Sequence, residues 1–382
     1  MRHLFLLDPE LVFLNHGSFG ACPREVLDAQ RGWQLEMERN PVEFLGRRSA
    51  ELLFHARGAL GRQLGARAEE LVFVPNSTTG VNVLAQSFPL QAGDEVLTTN
   101  LGYGACDAAW HRVCARVGAT YRRVEIPLPF DREAVAERLM AAETSRTRLI
   151  YFSHITSTTA LILPAAQICA AARERGITTF IDGAHAPGQI PLDLGSIAAD
   201  FYVGNCHKWL CAPKGSAFLH ARTEHHALLD ATVISWGYAE GTGGHSGFDA
   251  YLGRTLFERR MQWQGTRDLS AWLAVPAAID FLARHDWQSV RARCHALARE
   301  ALEVLTKRFG TGGIAQDEDW AQMVAIPVAR QNPDALRRRL YEESRIEVPV
   351  TTHGDRVFIR ISVQGYNTRK DIERLLAAPV LG

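Results

Sequence analysis

Two residues near the middle of the chain, Asp182 and Lys208, have the types and the setting to do chemistry. Asp182 closes an apolar segment that starts at Thr178 and runs T-T-F-I-D-G-A-H-A-P-G-Q, a strand leading into a turn. Lys208 lies in F-Y-V-G-N-C-H-K-W-L-C-A-P-K-G, just beyond a second short strand, Phe201 to Val203. Open α/β sheets gather ligand-binding residues at the C-terminal ends of their strands, so the acid and the amine would face one crevice. A lysine that forms a Schiff base and a carboxylate that pairs with a pyridinium nitrogen are what pyridoxal 5'-phosphate requires of a protein. Taken singly, Asp-Gly is commonly a turn and a lysine commonly a solvated surface group. The pair in this order, with His207 beside the lysine, carries the reading.

Other polar groups fall where such a cofactor needs them. The apolar strand Leu71 to Val74 runs into P-N-S-T-T-G-V-N and then a helix to Ser87. That sets Ser77, Thr78 and Thr79 at a helix N-terminus, where free N–H groups and hydroxyls make a phosphate site. Serine and threonine are equally ordinary helix caps. Tyr103, after the strand Asp94 to Thr99, is placed to stack on a flat ring. N-H-G-S-F-G, from Asn15 to Gly20, follows a strand at Leu11 to Leu14, and reads either as a loop contacting substrate or as a plain helix start. Arg360 sits inside an apolar strand, Arg356 to Ile361. An arginine there needs a partner, and a substrate carboxylate held by both guanidinium arms and a structural salt bridge are both open.

The elements that must position these groups alternate. Strands at residues 71–74, 94–99, 120–126, 148–152, 178–181, 201–203 and 216–219 are separated by helical patterns or turns, which predicts βαβ units around a parallel sheet. Residues 41–48 read as a turn carrying Arg47 and Arg48. After a long helix, residues 287–309, the pattern predicts a smaller α+β unit with strands at 323–326, 347–350 and 356–361.

Composition excludes several classes. A length of 382 residues suits a large domain with a smaller one. Basic and acidic residues balance at 42 each, and no basic block argues for nucleic acid or an anionic membrane. Residues 1–9 lack a signal-peptide pattern, and no apolar run approaches the roughly 20 residues that cross a bilayer. The 7 cysteines are odd in number and form no C-x-x-C pair, which predicts a cytoplasmic protein without disulfides or a zinc site. His220, His225 and His226 read as surface residues, and no metal is expected. G-T-G-G-H-S-G, inside a glycine-rich run from Ser235 to Gly253, is not a dinucleotide fingerprint, because no strand precedes it; a surface or interface loop is expected.

Several motifs together resemble one family. D-G-A-H-A-P-G followed by N-C-H-K-W is similar to the class V pyridoxal-phosphate enzymes. F-L-N-H-G-S-F-G, P-V-E-F-L-G-R-R, N-S-T-T-G-V-N and W-Q-G-T-R-D resemble their isopenicillin N epimerase-like branch, which is related to cysteine desulfurases and C–S lyases. The resemblance spans Leu7 to Leu376. It implies the α/β PLP-dependent transferase fold, fold type I. That fold has a large domain (25–270) with a mostly parallel seven-stranded sheet and a long helix with a small α+β C-terminal domain (271–382). An N-terminal segment (1–24) would contribute to the active site.

The resemblance also implies roles. Lys208 would hold the cofactor and shuttle the substrate Cα proton, Asp182 would pair with the ring nitrogen, and His185 would lie by the ring hydroxyl. Ser77, Thr78, Thr79, Asn205 and His207 would hold the phosphate, and Tyr103 would stack on the ring. Thr266 would reach the phosphate of a neighbouring subunit, which implies a homodimer with shared active sites. Arg360 would clamp the carboxylate of a small amino-acid-derived substrate, with Asn15 and His16 nearby. Desulfurases carry a catalytic cysteine before that arginine; here the segment is V-T-T-H-G-D-R, which argues against persulfide chemistry. Ser157 stands where many relatives have asparagine.

The expected reaction starts with removal of the Cα proton by Lys208, a base once burial and nearby cations depress its pKa. Reprotonation on the opposite face would epimerise, a leaving group on Cβ would eliminate as in a C–S lyase, and hydrolysis would complete a transamination. A non-catalytic binding protein on the same fold and a dinucleotide-dependent dehydrogenase are the alternatives from other classes; the latter lacks G-x-G-x-x-G after the first strand.

Overall fold

The computed structural model describes residues 1–238 and 253–382. Its centre is a seven-stranded sheet built from β2 (Leu71–Val74), β3 (Glu95–Thr99), β4 (Thr120–Val124), β5 (Thr147–Ser153), β6 (Thr178–Asp182), β7 (Phe201–Asn205) and β8 (Ala217–Ala221), preceded in the chain by a two-residue strand β1 (Val12–Phe13). The spatial order is β2-β8-β7-β6-β5-β3-β4, and only β8 runs antiparallel to its neighbours. The middle strands are apolar almost throughout because helices cover both faces. Alternation along them still divides the core: Leu149, Tyr151 and Phe180 pack on one side, and Ile150, Phe152 and Ile181 on the other.

The antiparallel strand matters for the site. β7 carries the chain to the edge where the parallel strands end, and β8 takes it straight back. The intervening turn, residues 206–216, is therefore held at that edge from both sides and bears His207 and Lys208.

A second sheet holds β9 (Met323–Val328), β11 (Val350–His353) and β12 (Arg356–Ser362), in the antiparallel order β11-β12-β9, backed by the helix Trp287–Phe309. Between them β10 (Ile346–Glu347) leaves this sheet and pairs in parallel with β1, at Val12↔Ile346 and Phe13↔Glu347. The strand expected over 347–350 is thus two strands serving two partners. Pro349, which has no N–H to give a ladder, stands at the break, and its carbonyl accepts the Arg360 N–H instead.

Two other expectations are corrected. Residues 41–48 are helical, not a turn: Asn40 accepts the Glu43 N–H and Pro41 opens the first turn, which runs through a π-helical stretch, Phe44–Arg48, into the helix Ser49–Leu64. His220, His225 and His226 are not free surface groups. His220 is 5% exposed beside Glu70, His225 meets Asp200 at 3.0 Å, and His226 bonds the Ala221 carbonyl. Most of the glycine-rich run expected at Ser235 to Gly253 lies outside the described residues.

Candidate active site

The ends of β5, β6 and β7 deliver Ser153, Asp182 and Asn205 to a cleft of about 340 Å³ at the C-terminal edge of the sheet. Asp182 is buried, and its Oδ1 accepts the Ala184 N–H at 3.0 Å. The Tyr151 hydroxyl lies 3.5 Å and the Cys106 thiol 3.8 Å from Oδ2. No cation forms an ion pair with Asp182 among the described residues. Burial pushes its carboxyl above the usual range, against the pull of the Ala184 N–H and Lys208.

Lys208 lines the same cleft, with its Nζ 3.2 Å from His185 Nε2. Burial lowers its pKa to about 8; Arg360 acts in the same direction, and Asp182 opposes both. An amine of that pKa is still mostly ammonium at neutrality but keeps a far larger fraction of free base than an ordinary lysine, which suits a nucleophile and a base.

On the far side of β7 the helix Ser77–Ser87 points its N-terminus at the cleft. Asn76 caps it by accepting the Thr79 N–H at 2.8 Å, and Asn205 Oδ1 accepts the Ser77 N–H at 2.9 Å. The Ser77 hydroxyl is buried without a partner among the described residues. His207 donates Nδ1–H to the Ser216 carbonyl at 2.9 Å, and burial holds it neutral, with a pKa of about 4. A capped helix start, an unsatisfied hydroxyl and an imidazole form an anion site.

Arg360 does not line the cleft but stands directly behind it, 3% exposed. Its Nη1 donates to the Ser157 carbonyl and hydroxyl, and its Nη2 to the Ser18 hydroxyl; both serines line the cleft. Among the described residues its Nε is buried and unpartnered, and it forms no ion pair. Of the two partners open for Arg360, the salt bridge is therefore absent there. A buried guanidinium held only by neutral groups keeps its charge available for a carboxylate.

The structure thus brings Ser77, Thr78, Tyr103, Asp182, His185, Asn205, His207 and Lys208 to one cleft. Thr79, Asn15, His16 and Thr266 are not on its wall. The Thr79 hydroxyl turns to Asn76. Asn15 meets Glu347 and accepts from Ser18. His16 is fully buried: it donates Nε2–H to the Lys208 carbonyl at 3.0 Å and accepts the Tyr366 hydroxyl at Nδ1, at 2.9 Å. Its place is under the lysine turn. Thr266 is exposed on this chain. Groups that the sequence left unmarked include Ser18 and Phe19 at the mouth, and Cys106, Tyr151 and Trp209 behind Asp182 and His185.

These residues fit pyridoxal 5'-phosphate: an anion site, an accessible amine and a buried carboxylate with no cation paired to it among the described residues line one cleft at successive strand ends.

The family described as "Aminotransferase class-V" matches residues 12–375. The chain is 40% identical to isopenicillin N epimerase of Streptomyces clavuligerus, over 99% of this chain and 96% of that one. It is 33% identical to a putative L-cysteine desulfhydrase of Oryza sativa subsp. japonica, over 95% and 81%. Among solved structures it resembles a mutant of C-DES, a cystine C–S lyase, with glycine covalently linked to its PLP cofactor; the TM-score is 0.85 at 23% identity, covering 100% of both chains.

Proposed function

We propose that this chain, which belongs to the class-V aminotransferase family, is a pyridoxal 5'-phosphate enzyme that breaks the Cα–H bond of an amino-acid substrate in the manner of an isopenicillin N epimerase. One observation carries the reading: the Lys208 amine and the Asp182 carboxylate face a common cleft, with the unpaired Arg360 guanidinium behind its wall. The bound cofactor supplies an aldehyde for the lysine and a ring that takes up the electron pair left at Cα.

The chain's own residues do the rest. Ser77, Thr78 and His207 bind the phosphate, supported by Thr79 and Asn205, and Tyr103 covers the ring. Asp182 holds a proton on the ring nitrogen, and His185 meets the ring hydroxyl. Arg360 binds the substrate carboxylate and so fixes Cα, while Asn15 and His16 hold the Ser18 loop and the lysine turn. Lys208 Nζ then takes the Cα proton. A second reading, β-elimination from an S-substituted cysteine, is favoured by the base inventory. Lys208 is the single amine lining the cleft among the described residues, and elimination needs no second proton carrier at Cα. All 7 cysteines are buried and none lies in the β11–β12 turn, which supports a reaction without persulfide.

We read the assembly as a homodimer in which Thr266 completes the neighbour's phosphate site, and the chain as units 1–24, 25–270 and 271–382. No described helix is long and apolar enough to cross a membrane; the unpaired thiols favour a cytoplasmic setting.

The test is proton NMR of the protein with pyridoxal 5'-phosphate, amino acids and cysteine conjugates in deuterated water. Deuterium at Cα with inverted configuration is the expected epimerase result, and pyruvate from a conjugate is the lyase result. Lys208→Ala abolishes both. A protein that takes up no cofactor, or a Lys208→Ala variant with full activity, overturns the proposal.

A further inference from the structure

The residue after the lysine makes a contact that the reaction does not itself call for. Trp209 is fully buried, and its indole Nε1–H lies 3.3 Å from His185 Nδ1. The opposite ring nitrogen, Nε2, is the one 3.2 Å from Lys208 Nζ. His185 therefore stands between two consecutive residues of the chain, Lys208 and Trp209, with one ring nitrogen turned to each. The turn imposes this arrangement. Gly188 packs so closely on the Trp209 carbonyl that a Cβ there would lie 2.3 Å from it, and the Trp209 ring is backed by His16, with ring centres 4.9 Å apart.

We propose that Trp209 is a positioning residue: its indole N–H fixes His185 in the tautomer that carries hydrogen on Nε2, and that tautomer favours the free amine of Lys208 over its ammonium form. The indole nitrogen is a donor only, so Nδ1 must offer its lone pair. A neutral imidazole with a lone pair on Nδ1 has its hydrogen on Nε2. His185 is neutral: burial drives its pKa well below the usual value, and Lys208, Arg360, His16 and His207 all act in the same direction. An N–H at Nε2 can bond Lys208 only through an amine lone pair, because an ammonium group has none. In the reverse tautomer two N–H groups would face each other at Trp209, and the bare Nε2 would accept from a lysine ammonium. The indole thus decides which protonation state of Lys208 the histidine supports.

The other groups around Lys208 do not make that choice. Burial, the Arg360 guanidinium on β12, Asp182 on β6 and the Cys106 thiol set the amine near a pKa of about 8, and His16 touches only the lysine carbonyl. His185 is the only side chain hydrogen-bonded to Nζ among the described residues. The same Nε2–H also presents a donor to the cleft, which suits the oxygen on the cofactor ring.

The inference about His185 can be read without cofactor, so it stands apart from the proposed activity. In the cofactor-free protein, labelled at its histidine ring nitrogens and assigned by the loss of signals in His185→Gln, ¹⁵N NMR is expected to show Nδ1 unprotonated and Nε2 protonated. Trp209→Phe keeps an aromatic ring but removes the N–H, and is expected to populate the reverse tautomer. The second readout is the pH dependence of the rate at which the protein captures pyridoxal 5'-phosphate, followed by absorbance. Its midpoint in the unchanged protein should lie near the lysine value of about 8. In Trp209→Phe it should move up by about one unit, roughly a tenfold slower capture at neutral pH.

In a His185→Gln background, which has no tautomers, adding Trp209→Phe should leave the midpoint where it was; a merely structural role for the indole would shift it in both backgrounds. A protonated Nδ1 in the unchanged protein overturns the proposal even if Trp209→Phe does not fold. An unshifted midpoint in a folded Trp209→Phe protein overturns it as well. The expected tautomer and its loss in Trp209→Phe, in a protein that takes up no cofactor, would uphold the inference while sinking the proposed function.

Discussion

Asp182 shows what a single buried residue contributes at this site. Its carboxylate has one backbone donor, a thiol and a distant phenol, and its pKa is raised chiefly by burial. The sign follows directly. The folded value lies above the unfolded one, so the group favours folding below the unfolded value and costs stability as pH rises through the folded value. Asp182→Asn is therefore expected to raise the Tm of the cofactor-free protein at pH 7, with the difference shrinking as pH falls towards 4, which thermal melts across that window would check. In the proposed function the same substitution removes the charge that would keep the ring nitrogen protonated. It should slow Cα–H exchange into deuterated water by about two to three orders of magnitude, the scale for loss of one preorganised electrostatic partner. A variant that is less stable at pH 7 and equally active would contradict both arguments.

At the scale of elements, the lysine turn is clamped by parts of the chain far away in sequence. Gly20 ends a short helix, His16–Phe19, with φ 68° and ψ 152°, a conformation that is essentially glycine's alone. A Cβ on it would lie 2.2 Å from the His207 carbonyl oxygen. Gly20→Ala is expected to destabilise the fold by roughly 1–3 kcal/mol and to push the His207–Lys208 turn outward. Cofactor release on dilution, measured by absorbance, should become faster than in the unchanged protein. Unaltered retention in a destabilised variant would mean that the N-terminal segment supports the fold without shaping the turn. His16 works beside it, joining the Lys208 carbonyl to Tyr366 and so tying the large sheet's turn to the segment that follows β12.

At the scale of the whole molecule, the open question is what Thr266 serves. It is exposed, and it is absent from the wall of its own chain's cleft. In the proposed dimer it belongs to the neighbour's phosphate site, which gives a clean expectation. Lys208→Ala and Thr266→Ala are each impaired as pure proteins, the second through weaker cofactor binding. Unfolding the two together and refolding them should restore activity, because one of the two sites in a mixed dimer then has both its lysine and its threonine. Activity equal to the sum of the separate variants would place Thr266 outside any shared site.

The sequence by itself determined the chemistry-bearing turns and the order of the elements. Asp182, Lys208 and the Ser77–Thr79 helix start were legible because each follows an apolar strand, and parallel strands bring their C-terminal ends to one edge. Local rules also located the long helix and most strands within a residue or two. They failed where a remote partner decided the outcome. The 347–350 stretch splits because β1, more than 300 residues earlier, pairs with its first half. His220 and His225 looked solvent-facing until Glu70 and Asp200 came beside them.

The tertiary structure alone decided which polar groups are left without a partner. Spacing cannot reveal that the Arg360 guanidinium is hydrogen-bonded only to Ser157 and Ser18 among the described residues, that His16 lies beneath the lysine turn, or that an indole selects the His185 tautomer. Those properties depend on contacts between residues distant in the chain, and burial converts each such contact into a protonation state or an available charge.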